Sequence, residues 1–226
     1  MEEEETGGGV DREGRLRSRV RHGAAPYGPE IIMDEERFDK AMAQIDEANR
    51  QDQVMEEVNG QAYPKELIYG QRMTIWLQRM APEASEVLKL AVRCQHIQRW
   101  KILRQDYPEG RTGYKRWRTD LAKFHAETAA AILYDVGYDD ETIHRVQSLV
   151  RKEQFKVDPE AQTLEDVACL VFLDHYFAAF SKKHDEEKLV DIVRKTWKKM
   201  SDKGRTAALG IALPEGLKAV VGKALG

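Results

Sequence analysis

Apolar residues recur at helical spacing along most of the chain from Asp34 onward. Phe38, Met42 and Ile45 follow one another in steps of four and three, which places them on one face of a helix. Similar spacing returns in successive segments as far as Leu225, separated by turns that contain glycine or proline. No segment of useful length alternates apolar and polar residues as a strand would. The pattern therefore predicts an all-α protein.

Turns and capping residues divide this pattern into separate helices. Asp34 is available as the cap of the first helix, and a turn at Asn59-Gly60 precedes the second. The segment LEDVACLVFLDHYFAAF is apolar on most of its circumference, and Thr163 is available to cap it. That segment is predicted to be the central helix of the core. The other predicted helices cover approximately residues 64–80, 87–97, 114–134, 143–149, 185–200 and 214–225.

Composition limits the class of protein. The chain has 226 residues, of which 33% are charged and 42% hydrophobic, and its formal net charge is −3. That length suffices for one sizeable core, and balanced charge argues against a protein that coats nucleic acid. No apolar run approaches the roughly 18 residues that a membrane span needs. Cys94 and Cys169 fit reduced intracellular thiols, so a cytoplasmic protein is expected.

The amino-terminal residues differ from the rest of the chain. They read MEEEETGGGVDREGRLRSRVRHG, with charge blocks and a triple glycine before any periodic pattern. Such a start lacks the apolar stretch of a signal peptide and the acid-poor character of a transit peptide. The composition predicts a disordered tail over residues 1–33 and one helical domain over residues 34–226.

Three polar side chains lie on stripes that otherwise predict helix core. His96 follows Leu88 and Val92 at helical spacing, while His125 and Asp166 occur among apolar residues in the same way. A buried carboxylate without a partner is costly. The three residues are therefore predicted to converge, either on one divalent metal ion or in a hydrogen-bonded core network. Both interpretations remain open from the sequence.

The metal interpretation has a definite chemistry. Neutral imidazole nitrogen and carboxylate oxygen are suitable ligands for Zn, Mn or Fe, and Mg is a further candidate. A bound metal lowers the pKa of its water towards about 7, which supplies a nucleophile at neutral pH. Glu127 or Glu165 would then orient a ligand or act as general base.

Basic residues are concentrated in a stretch just before and at the start of the long helix predicted over residues 114–134. Gly110 and Gly113 allow close backbone approach just before a helix amino terminus, where free N–H groups attract anions. Arginine side chains bind phosphate well. The stretch is therefore a candidate site for a small phosphorylated ligand, with a solvated connector as the alternative. Its basic residues are Arg99, Lys101, Arg104, Arg111, Lys115, Arg116 and Arg118, and the predicted binding residues among them are Arg99, Arg104, Arg111, Lys115 and Arg116.

Several blocks of the sequence resemble a known family. QHIQRW, RQDYPEGRTGYKRWR, FHAE and LEDVACLVFL, all within residues 36–210, look like the uncharacterised family called domain of unknown function 4202. More distantly, the segments around His96, His125 and Asp166 resemble those of HD-domain metal-dependent phosphohydrolases. That resemblance implies a helical HD-like bundle with a metal centre. The sequence departs from it because no adjacent His-Asp pair occurs between His96 and His125.

Two functions of different classes follow as expectations. The first is a metal-dependent phosphohydrolase that acts on a nucleotide or another small phosphorylated compound. The second is a helical protein that binds a nucleotide or RNA through the basic stretch without turnover. The retained histidines and Asp166 favour the first, and the missing His-Asp pair favours the second. A structural adaptor is a third possibility, and the oligomeric state cannot be deduced from the sequence.

Overall fold

A computed structural model describes the backbone of residues 29–226 and the side chains from residue 35 on. Residues 1–28 of the predicted tail therefore lie outside the described residues. The first helix begins at Pro29, a residue type suited to the first turn of a helix. Asp34 consequently lies inside this helix, and the prediction that Asp34 caps it is wrong.

The described residues are mainly helical, as the periodicity predicted. Residues 36–226 form one compact unit. The helices are α1 (Pro29–Arg50), α2 (Lys65–Met80), α3 (Glu86–Arg93), α4 (Gly110–Val136), α5 (Asp140–Val150), α6 (Pro159–Val171), α7 (Phe177–Ser181), α8 (Glu186–Lys199), α9 (Asp202–Leu209) and α10 (Glu215–Leu225). Short 3-10 turns occupy Arg99–Lys101 and Arg104–Asp106, and a π-helical segment, Phe172–Tyr176, joins α6 to α7.

Helix α6 is the centre of the core. It packs against α2, α3, α5, α8 and α9, and Leu164, Val167 and Leu170 on it have no exposed surface. The prediction of a central helix in this segment is confirmed. Its start differs from the prediction, because Asp158 caps the helix by accepting hydrogen bonds from the backbone N–H groups of Glu160 and Ala161. Thr163 lies one turn inside, where its hydroxyl donates to a backbone carbonyl.

A small β-hairpin follows α1 and was missed by the periodicity analysis. Strands β1 (Met55–Val58) and β2 (Gln61–Pro64) pair antiparallel, with Val58 opposite Gln61. Asn59 and Gly60 have φ values of 53° and 78°, which suits the tight turn that an Asn-Gly pair forms between two strands. Strands of four residues are too short to show a clear alternation. The Asn-Gly pair was the available signal.

The helices differ in polarity as well as in length. Helix α4 is 27 residues long, but charged side chains are spread along it. Within the part of the chain that the structure describes, no helix combines the length and the apolar character needed to cross a bilayer. The cytoplasmic location stays a prediction.

The start of α4 depends on a close approach of two backbone segments. Gly110 has a φ of 83°, and a Cβ atom on Gly113 would overlap the carbonyl oxygen of Pro108.

We expect Gly113→Ala to lower the free energy of unfolding by about 2 kcal/mol, because either the helix start or the Pro108 carbonyl must move. Urea unfolding measures this. Gly222→Ala in α10 is the control, since a Cβ there meets open space; equal stability of the two variants would contradict the prediction.

Candidate functional site

A pocket lies between the chain segment that follows α3 and the facing sides of α4 and α5. Its volume is about 660 Å³, which is in the range of small-molecule sites. Five basic side chains line it, against two acidic ones, together with two histidines. The basic residues are Arg99, Arg118, Lys123, Arg151 and Lys152, the acidic ones are Glu127 and Glu153, and the histidines are His96 and His125.

His96 reaches the pocket because α3 ends early. The sequence predicted a helix through residue 97, but α3 ends at Arg93 and Gln98 takes a left-handed conformation with φ of 50°. The backbone N–H of Gln98 donates to Oδ1 of the buried Asn49 on α1, at 2.9 Å. The His96 ring stacks on Tyr69 of α2, with 3.9 Å between centroids and 12° between planes. These contacts fix the ring.

His125, on α4, is held by the same chain segment that carries His96. Its Nδ1 lies 2.7 Å from the carbonyl oxygen of Ile97, so Nδ1 carries the proton and donates. The residue is 2% exposed, and its Nε2 is buried with no hydrogen-bond partner among the residues that the structure describes. Its ring centroid is 6.0 Å from that of His96. The structure thus brings together two of the three predicted metal ligands.

Both imidazoles are neutral at neutral pH. Burial lowers the pKa of His125 to about 3, and the neighbouring His96 and basic side chains add to the effect. Burial is also the main reason why the pKa of His96 lies well below its usual value. The positive charges of Arg99 and Arg118 lower this pKa further. A neutral imidazole offers a lone pair to a ligand or to a proton.

Glu66 is one of the site residues that the sequence analysis missed. It lies in the first turn of α2, is 5% exposed, and places Oε2 at 3.4 Å from Nδ1 of His96. Burial raises the pKa of Glu66 to about 7, although Arg99 and Lys65 oppose the shift. Glu66 shares a helix face with Gly70 and Met73. A polar residue on an apolar stripe was therefore the available signal, as it was for Asp166.

Asp166 is buried, as predicted, but its carboxylate is engaged elsewhere. It accepts hydrogen bonds from the backbone N–H of Ser201 at 2.8 Å, from the Ser201 hydroxyl at 2.5 Å and from Nε2 of Gln162 at 3.1 Å. Asp166 does not line the pocket. The structure therefore corrects the expected convergence of His96, His125 and Asp166: Asp166 holds the start of α9 against α6.

The two predicted catalytic carboxylates have different surroundings. Glu127 lines the pocket, but its side chain is 60% exposed and lies 3.7 Å from Lys123. Glu165 is buried and does not line the pocket. Its oxygens lie 2.5 Å from Nζ of Lys152 and 3.4 Å from Nζ of Lys199. Although burial opposes it, the two lysines lower the pKa of Glu165, so this residue orients Lys152 rather than moving a proton.

The predicted binding residues mostly lie outside the pocket. Arg99 lines it, with its guanidinium 4.8 Å from the ring centroid of Trp117. Arg104, Arg111, Lys115 and Arg116 do not line it. The basic stretch is also less of a loop than expected, since α4 begins at Gly110. Arg118 shares the pocket side of α4 with His125 because they are seven residues apart, whereas residues 116 and 118 point to nearly opposite sides. Arg151 and Lys152 lie in the turn that follows α5, where sequence alone gave no reason to look.

The described residues do not fit the metal centre that the HD resemblance implies. No group of three or more His, Cys, Asp or Glu side chains in residues 35–226 is arranged to hold a metal ion. The basic lining of the pocket would also repel a divalent cation. One adjacent His-Asp pair, His184-Asp185, does occur later in the chain. Asp185 there caps α8, and His184 packs on Phe180 with 4.2 Å between ring centroids.

The sequence of the chain matches the family described as domain of unknown function (DUF4202) over residues 39–221. The chain belongs to this family. Comparison with curated proteins found no match, and neither did comparison with solved structures. The described pocket of this DUF4202 domain lies within the matched residues, as do Glu66, His96 and His125. The more distant similarity to HD-domain phosphohydrolases stays a prediction.

Proposed function

We propose that the pocket binds a small phosphorylated compound. The observation that carries this proposal is the charge of the lining, which has five basic and two acidic side chains around two neutral histidines. Positive side chains attract an anion more strongly in a partly enclosed site than they would in open water. The volume is sufficient for a nucleotide or a sugar phosphate. A divalent metal is not part of the proposal.

Two of the basic groups are held in place before any ligand binds. Lys152 is paired with the buried Glu165, and Arg99 lies between the ring of Trp117 and Nε2 of His96, with 3.3 Å between Nη1 and Nε2. Arg118 is exposed and free to close on a ligand. Prepositioned charges lose less side-chain entropy on binding than mobile ones, which favours affinity for phosphate.

We expect Arg118→Gln to weaken phosphate binding about tenfold, or about 1.4 kcal/mol, because a charged hydrogen bond to the ligand is lost. Titration calorimetry on the full chain measures this, with inorganic phosphate, pyrophosphate, AMP and glucose 6-phosphate as probes. Binding should also weaken as salt is raised.

Arg116→Gln is the matched control for Arg118→Gln. Arg116 is an exposed arginine on the same helix, and it lies 3.9 Å from Asp120 rather than in the pocket. Its substitution should leave the affinity unchanged. Failure of all four probes to bind, or equal losses in both variants, would overturn the proposed site. Equal losses would favour binding of nucleic acid through the exposed basic residues in the first turns of α4, Arg111, Lys115 and Arg116.

A further inference from the structure

A buried carboxylate lies behind one imidazole of the pocket. Glu66 is fixed at the start of α2, where its backbone N–H donates to Oδ2 of the buried Asp52 at 3.2 Å. Its Oε2 is buried and has no hydrogen-bond partner in the described residues, but lies 3.4 Å from Nδ1 of His96. The His96 side chain is 21% exposed, so the opposite edge of its ring can be reached from the pocket.

We propose that Glu66 and His96 form a carboxylate–imidazole dyad in which His96 is the general base for hydrolysis of a phosphate monoester bound in the pocket. This activity rests on the proposed function, since the ester must first be bound by the basic lining. His96 is the catalytic residue, and Glu66 is a positioning residue that acts through it. No metal ion takes part.

The partners of His96 assign its tautomer. A guanidinium can only donate hydrogen bonds, so Nε2 of His96, 3.3 Å from Nη1 of Arg99, carries a lone pair. The proton of the neutral ring is then on Nδ1, on the side of Glu66. An ionised carboxylate in that place orients the ring and stabilises the imidazolium that forms when Nε2 takes a proton. A separation of 3.4 Å is long, but such contacts often shorten when substrate binds.

The bound ester changes the basicity of His96. In the empty pocket Arg99, Arg118 and Lys152 contribute to the lowered pKa of His96. A phosphate monoester brings nearly two negative charges among these groups, which offsets their charge and raises the pKa of the imidazole again. The ring is therefore kept unprotonated until the substrate arrives, and becomes a stronger base once it is bound.

The reaction balances without a further reactant. Once the bound phosphate draws the Arg99 guanidinium away from Nε2 of His96, a water molecule gives one proton to Nε2 while its oxygen bonds to phosphorus, and the bond from phosphorus to the ester oxygen breaks. The leaving oxygen, on the opposite side of phosphorus, takes a proton from solvent water, which releases an alcohol and inorganic phosphate, and the imidazolium returns its proton to the solvent. Arg99, Arg118 and Lys152 neutralise the charge that develops on the phosphoryl oxygens.

Hydrolysis of p-nitrophenyl phosphate and AMP by the full chain tests the dyad. We expect phosphate release in the presence of EDTA, and a fall in kcat of about a hundredfold or more in Glu66→Gln and in His96→Asn. The affinity of Glu66→Gln for AMP should change little, because Glu66 does not line the pocket. Glu57→Gln, at an exposed position of strand β1, is the control.

The pH profile separates a role in catalysis from a role in folding. In the wild type, kcat should rise with pH as Glu66 ionises around its pKa of about 7, and this limb should disappear in Glu66→Gln. The charged or titratable groups around Glu66 are Asp52, Lys65, Tyr69, His96, Arg99 and Tyr176. Binding of phosphate without hydrolysis, hydrolysis abolished by EDTA, or an unchanged kcat in Glu66→Gln would overturn the dyad and leave the binding site standing. Absence of binding would overturn both.

Discussion

Replacing Glu66 by Gln is expected to stabilise the protein above neutral pH by up to about 3 kcal/mol. The reason is that burial raises the pKa of this carboxyl group from 4.5 to about 7, so its ionised form is disfavoured in the folded state. The folded protein binds a proton here more tightly than the unfolded chain does. Stability contributed by the protonated group is fully present below about pH 4.5 and is lost as pH rises through about 7.

The difference between the two proteins should therefore depend on pH. At about pH 4 the carboxyl group is protonated in both states, and the free energies of unfolding of wild type and Glu66→Gln should nearly agree. At about pH 8 the variant should be the more stable, since its amide needs no ionisation. Urea unfolding at both pH values measures this, with Glu57→Gln as an exposed control. A variant that is less stable at high pH would show that the ionised carboxylate is stabilised by its neighbours.

A gain in stability together with a loss of activity would have a clear meaning. Residues that serve a reaction are often kept at the expense of folding stability. An ionised carboxylate that its neighbours stabilise would show the opposite result, because its replacement would destabilise the fold. The single substitution Glu66→Gln thus separates a functional group from a structural one.

Replacing Asp166 by Ala is expected to destabilise the protein by about 3–5 kcal/mol. Its buried carboxylate accepts three hydrogen bonds, two of them from Ser201, the residue that caps α9. Gly204 in the same helix leaves room for this carboxylate, since a Cβ there would lie 2.6 Å from Cγ of Asp166. The contact between α6 and α9 is therefore built around Asp166.

Ser201→Ala is the comparison for Asp166→Ala. It removes one hydrogen bond to Asp166 and the side-chain cap of α9, and should cost only about 1 kcal/mol. The double variant should cost less than the sum of the two, because both changes remove the same contact. Affinity for inorganic phosphate should be unchanged in the folded fraction of each variant. A stable Asp166→Ala protein that has lost a bound metal ion would instead support the metal centre predicted from the sequence.

Local sequence determined the helices of this protein. The apolar periodicity placed α4, α5, α6, α8 and α10 close to their observed positions, because a stripe at helical spacing has one favourable way to be buried. It also identified His125 and Asp166 as buried polar residues, since each stood on such a stripe. Capping was less certain, because several residues near a helix start can cap it and tertiary contacts choose among them.

Only the tertiary structure decided which buried polar groups meet. Glu66, His125 and Asp166 satisfy the same sequence criterion, yet Glu66 and His125 lie beside His96, while Asp166 binds Ser201. Spacing along one helix fixes the face on which a side chain lies, but not the helix that covers that face. The partner depends on how α2, α4, α6 and α9 pack, and on the turn after α3 that carries His96 and Arg99. The sequence therefore identified polar residues that need partners. The packing of the helices placed some of them in or beside a pocket and placed Asp166 in a structural contact.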